Sequence, residues 1–389
     1  MKRRRIEIVS ALCIAFSVFP SALPHRHAAG MDYVTVSRGG TTSHVEGRIL
    51  VEAEDGGVLM LATDGVLWAV QPQELEKRTS DQVPLKMLDR KQLTETVLAS
   101  LPPGFAAYDT AHYVIFYNTS RGYAQWCGAL YERLYRGFYN FWSRRGMKLS
   151  DPEMPLIAMV FQDQADYVDH ARAELGEASQ QIVGYYSLRS NRMMTYDLTG
   201  SDQLRNGGPR ATSAQLINQV LAQPRAESLV ATIIHEATHQ LAYNSGLQTR
   251  YADNPVWLSE GLAVFFETPD LGNSKGWRTI GAVNYRRLDQ FSRYFANRPE
   301  SSLASLLTDD ERLRNSRTAP DAYAESWALC YFLLKKYPRE FSNYLSELGK
   351  KEPLVYDTPE ERLATFRRHI VDDLSEFDAE FIRFIGGVR

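Results

Sequence analysis

His235-Glu236-Ala237-Thr238-His239 constrains this chain more than any other stretch. On a helix, residues four apart share a face, so the two imidazoles can meet a single ion. Zinc needs ring nitrogens about 2.0–2.1 Å away, and this spacing allows it. Glu236, beside the first imidazole, can hold a water at such a centre. The neighbouring residues support a helix: Val230, Ile233, Ile234, Ala237 and Leu241 form an apolar stripe of helical period. Asn244-Ser245-Gly246 then ends it. The competing explanation is a chance match on a core helix.

Two histidines do not complete a zinc site. Ala242 and Ser245 stand where a nearby third histidine would fall, and beyond His239 the remaining histidine is His369. The third ligand is therefore expected to be a carboxylate, from Asp253, Glu260, Glu267 or Asp270. Glu260 is favoured because it interrupts the apolar run from Trp257 to Phe266, where a charge is costly unless paired or metal-bound. A buried ion pair is the alternative. Asn254 suits the cap of that helix and Pro255 its first position. Gly261 lets another backbone or a substrate come close.

His-Glu-x-x-His followed by Trp257-Leu-x-Glu260-Gly-Leu-Ala resembles the gluzincin metallopeptidases, including the thermolysin-like and aminopeptidase N-like families. It is most similar to peptidase-MA-like bacterial proteins of uncharacterised function. The resemblance spans about 112–350, with its specific motifs at 235–267 and 323–329. It implies an α+β, thermolysin-like catalytic domain: a mixed sheet, an active-site helix and a helical C-terminal subdomain. One Zn2+ would be held by His235, His239 and Glu260, with Glu236 as general base and a peptide or protein as substrate. A sheet edge beside the zinc would align an extended peptide, with Arg192–Asp197 the candidate; an ordinary edge strand is the other reading. Tyr323 would donate to the tetrahedral oxyanion, and Glu325 or Glu267 would orient a ligand histidine. Helix packing is the plainer role for Tyr323. Two departures matter. Twenty residues separate His239 from Glu260, a longer spacing than the best-known members have, which shifts the intervening loop. No Gly-x-Met-x-Asn-type segment is present, so aminopeptidase activity is not implied.

The 389 residues, 44% hydrophobic, suffice for one large core or two smaller ones. A net charge of −3 predicts no general attraction to nucleic acid. Lys2-Arg3-Arg4-Arg5 precedes an apolar stretch from Ile8 to Phe19, too short for a comfortable membrane span. Residues 1–29 are thus expected to be a secretory signal, leaving a periplasmic or extracellular protein with no membrane span; an uncleaved anchor is the alternative. Cys127 and Cys330 sit in apolar, helical surroundings. They are expected to be separately buried thiols, although export permits a disulfide.

Residues 32–80 read as a small β module, an SH3-like barrel or curled sheet, with short β-rich runs punctuated by Gly39-Gly40, Asp55-Gly56-Gly57 and Asp64-Gly65. A linker with one helix follows at 81–105. An αβ catalytic subdomain is expected over 106–270 and a helical one over 271–389. Within the former, strands are expected at His112–Tyr117 and Leu156–Phe161, and helices at Arg121–Arg144 and Gln164–Leu175. A hairpin is expected at Val183–Leu188 and Arg192–Asp197. Residues 199–225, with Gly207-Gly208-Pro209, read as a mobile loop near the site. Downstream, the clearest helices are 278–296, 321–337, 340–349 and 373–385. His112, His170 and His369 read as ordinary structural or surface residues. Two other functions fit these residues: an exported zinc-containing scaffold without activity, and a metal amidase acting on a cell-wall amide.

Overall fold

A computed structural model describes residues 22–23, 30–201, 204, 211–268 and 279–389. The chain is α+β. Its N-terminal sheet is antiparallel, from β2 (Asp32–Arg38), β3 (Thr41–Ala53), β4 (Val58–Ala62), β5 (Leu67–Val70) and β6 (Leu75–Ser80), in the order β5-β4-β3-β2-β6. A two-residue strand, β1 (Ala22–Leu23), adds to β3. Gly39 and Gly40 both have positive φ, 58° and 79°, the geometry of a two-residue turn that follows the strand twist. Val34, Val36, Val45 and Ile49 alternate with more exposed positions and, with Met60, form this sheet's own core.

The second sheet has the order β10-β11-β9-β8-β7, from β7 (Ala106–Asp109), β8 (Tyr113–Tyr117), β9 (Leu156–Phe161), β10 (Gly184–Ser187) and β11 (Arg192–Tyr196). β8, β9 and β11 run parallel, and both flanking strands are antiparallel. Strands β8 and β9 carry no charged residue because both faces are covered. Helix α1 (Arg90–Ser100) lies in the expected linker, and α2 (Arg121–Ser143) and α3 (Gln164–Leu175) connect the parallel strands. Tyr185 meets Tyr167 and Glu174 of α3, whereas its neighbour Tyr186 stacks on Tyr243 of helix α5 (Glu227–Asn244). Successive strand residues point to opposite faces, so α3 and α5 cover opposite sides of the sheet.

Two expectations are corrected here. Arg192–Asp197 is not a sheet edge: β11 continues the parallel register of β9, and the hairpin turn carries β10 to the outside. The expected mobile loop at 199–225 contains helix α4 (Ala214–Leu221), started by the Ser213 hydroxyl and anchored by buried Ile217 and Leu221. Gly207-Gly208-Pro209 lie outside the described residues, as do residues 1–21 and Asp270.

The remaining helices are α6 (Val256–Phe266), α7 (Tyr285–Phe295), α8 (Ser302–Thr308), α9 (Glu311–Arg314), α10 (Ala319–Lys336), α11 (Pro338–Leu348), α12 (Pro359–His369) and α13 (Leu374–Gly386). Helices α8, α9 and α12 had no counterpart among the expected ones. Helices α8 and α9 are short, and α12 is held by long-range contacts from Arg362 to Asp253 and Asp310. Cys127 and Cys330 are separate buried thiols, and burial pushes both above the usual thiol range. No helix among the described residues is long and apolar enough to cross a membrane.

The N-terminal sheet is fastened to the second one at the β10–β11 turn. The Leu67 amide donates to the Arg189 carbonyl at 2.7 Å, and Arg192 meets Asp64 at 3.4 Å. Leu354 from the far end of the chain joins Val51, Leu59 and Leu67 in a shared apolar cluster.

Candidate metal centre

Helix α5 is buried along most of its length, which fixes the side chains it presents. Gln240 secures it to the sheet: its amide nitrogen donates to the carbonyls of Ile157 at 2.9 Å and Asn191 at 3.0 Å. Helix α6 crosses nearby. Its start differs from expectation, because Pro255 is the cap residue and the Asp310 carboxylate accepts from the Val256 amide at 3.0 Å. Asn254 instead donates to the Thr249 and Ala252 carbonyls. Gly261 is needed where α6 meets α10: a β-carbon there would lie 2.5 Å from the Ser326 carbonyl oxygen.

These helices bring His235, His239 and Glu260 together, with their ligand atoms all within 4.8 Å of one another. The two Nε2 atoms are 3.1 Å apart; Glu260 Oε2 is 3.1 Å from His235 Nε2, and Oε1 is 3.6 Å from His239 Nε2. Metal arms of 2.0–2.1 Å in a tetrahedron place neighbouring ligand atoms about 3.3 Å apart. All three residues are buried, and Glu260 Oε1 has no hydrogen-bond partner. Facing lone pairs in a dry site need a shared positive charge, so the donor set fits a metal ion.

Glu267 supplies the support for the first ligand. Its carboxylate is 2.6 Å from His235 Nδ1, which leaves Nε2 directed at Glu260 and His239. Burial acts to lower His235, but Glu260 and Glu267 outweigh it and raise the imidazole to about 10. Burial likewise acts to raise Glu260; the imidazoles of His239 and His235 overcome this and hold it well below the usual carboxylate range. Replacing Glu267 by Gln is expected to weaken metal affinity about 10- to 100-fold, measured by competition with a chromophoric chelator. Unchanged affinity would remove Glu267 from the site.

Glu236 lies one residue beyond His235. Its Oε2 accepts from the Tyr186 amide of β10 at 2.9 Å, and its Oε1 is buried without a hydrogen-bond partner. Burial raises the affinity of this carboxyl for a proton, partly offset by His235 and His239.

Two other residues named from the sequence stand elsewhere. Asp253 is tied to Lys351 and Arg362. Glu325 does not orient a ligand histidine: Arg298 at 2.8 Å, Arg312 at 2.7 Å and the Ser302 hydroxyl take its carboxylate. Tyr323 is buried on α10, with the Arg287 guanidinium 5.4 Å from its ring centre. His112 and His369 pair with Glu132 and Glu347, whereas His170 lies against Phe161. Sequence reasoning missed Tyr186, whose part is played by a backbone amide, and Gln240, whose polarity within an apolar helix was the available signal.

No curated protein matches the chain. Residues 229–355, which contain the whole metal-ligating group and Tyr323, are similar to a family described as a protein of unknown function, DUF1570.

Proposed function

We propose that this chain is an exported zinc-dependent hydrolase, a gluzincin-type peptidase that cleaves amide bonds of a peptide or protein. His235, His239 and Glu260 would hold one zinc ion, with Glu236 as the general base. The observation that carries the proposal is the unpartnered Oε1 of Glu236, on the same helix as two of the three ligating groups. When bound, zinc supplies Lewis acidity, making water acidic near neutrality and polarising an amide carbonyl.

The chain's own residues divide the remaining tasks. Glu236 Oε1 takes the proton of the attacking water and returns it to the leaving amine, while the Tyr186 amide fixes Oε2. Its high proton affinity suits the second half of that exchange. Glu267 keeps His235 in one tautomer. Alternate residues of an antiparallel strand turn their backbone groups away from the partner. Tyr186 does so, which places Gly184 on that same side of β10, and an extended peptide would align there. The phenol of Tyr323 serves as the oxyanion donor in this reading.

The test is hydrolysis of a mixed peptide library by the purified chain. Cleavage is expected to stop with a chelator and to return with stoichiometric zinc. Cleavage that survives complete metal removal would refute the mechanism.

A further inference from the structure

Arg287 forms no ion pair among the described residues. It is 7% exposed, and its Nε and Nη2 are both buried without a hydrogen-bond partner. These two nitrogens form the side-on edge of the guanidinium, the edge that grips a carboxylate through two parallel hydrogen bonds. The Tyr323 ring attracts the cation but offers no acceptor to that edge in the plane of the guanidinium. Nearby carboxylates are engaged elsewhere: Glu267 with His235, Glu325 with Arg298 and Arg312, and Asp321 with Gln290. Arg286, next in sequence, adds a like charge, with burial and Arg287 pushing it down and Glu267 acting against them.

The segment after Glu267 leads to the first turn of α7, where Arg286 feels the Glu267 charge. Thr268, one residue beyond Glu267, exchanges hydrogen bonds with Thr279, and Gly281 abuts the Phe265 ring of α6. Helix α7 begins four residues later at Tyr285, with the Asn284 side chain accepting from the Arg287 amide. Its first turn adds orphan amide donors to the positive charge. A buried guanidinium lacking an acceptor is costly, and such costs are retained where a ligand supplies the missing group.

We propose that Arg287, at the first turn of α7 and against Tyr323, binds a carboxylate of the substrate, either the chain terminus or an acidic side chain. This rests on the peptidase reading for its substrate, but not for the existence of the anion site. The site selects for a carboxylate that Arg287 holds side-on.

Two measurements test it. In the first, succinate and inorganic phosphate are titrated into the metal-free protein by calorimetry. Succinate binding is expected to weaken about 10- to 100-fold in Arg287→Met and less in Arg287→Lys, which keeps a point charge. The melting temperature of Arg287→Met should be equal to or above that of the parent, because an unpaired buried charge is removed. Equal succinate binding in parent and Arg287→Met, or tighter binding of phosphate than succinate, overturns the proposal. In the second, kcat/KM is compared for peptides ending in a free acid or an amide, and for Glu against Gln within the peptide. One of the two pairs should favour the acid about 10- to 100-fold, and Arg287→Met should abolish that preference. No preference in the parent overturns the substrate assignment. If the parent cleaves no peptide, the peptidase reading fails while the succinate result still decides the anion site.

Discussion

Glu236→Gln retains stoichiometric zinc and loses turnover by about 10²- to 10⁴-fold, the range associated with a positioned general base. The substitution is nearly isosteric, and the amide oxygen can still accept from the Tyr186 amide that now meets Oε2 at 2.9 Å. What it removes is the capacity of Oε1 to take a proton. Elemental analysis and single-turnover kinetics on the same preparation separate the two roles. Loss of zinc from the variant would make Glu236 a ligand or a folding residue, and full turnover would make it a bystander.

Glu260→Gln should act on the other half of the site. The substitution keeps the volume but deletes the negative charge that faces both imidazoles at 3.1 and 3.6 Å. One of three ligands shares a binding free energy on the order of 10 kcal/mol, so affinity should fall about a thousandfold. Circular dichroism must show the helices intact, since Glu260 lies within the buried face of α6. A folded variant with parental zinc affinity would place the third ligand elsewhere.

The candidate metal ligands were legible from the sequence because their signals are local. His235 and His239 are one helical turn apart, and Glu260 is an unexplained charge within an apolar run. Glu267 was named only as one of the nearby carboxylates and, through the family resemblance, as an alternative to Glu325 for orienting a histidine. Glu325 has the same local signature, a carboxylate in an apolar helix, yet its partners come from residues 298, 302 and 312. Nothing local distinguishes a charge that meets a histidine from one that meets two arginines. The hairpin at 184–196 was visible in its turn residues, but which strand lies outermost depends on pairing with β9, where Arg192 faces Ile157 from far earlier in the chain. Arg287 shows the same limit. In sequence it is one of two adjacent arginines on an amphipathic helix, and only packing reveals that its Nε and Nη2 lack an acceptor among the described residues.

The contact between the amino-terminal strands and the β10–β11 turn gives that small sheet a task at a distance. Leu67 and Asp64 brace residues 189 and 192, and those residues set the strand whose Tyr186 amide grips Glu236. A chain shortened to begin after residue 80 would leave that brace missing and strip Leu354 of its Val51, Leu59 and Leu67 neighbours. The amino-terminal sheet is therefore better regarded as a buttress of the strand that holds Glu236 than as a detachable passenger.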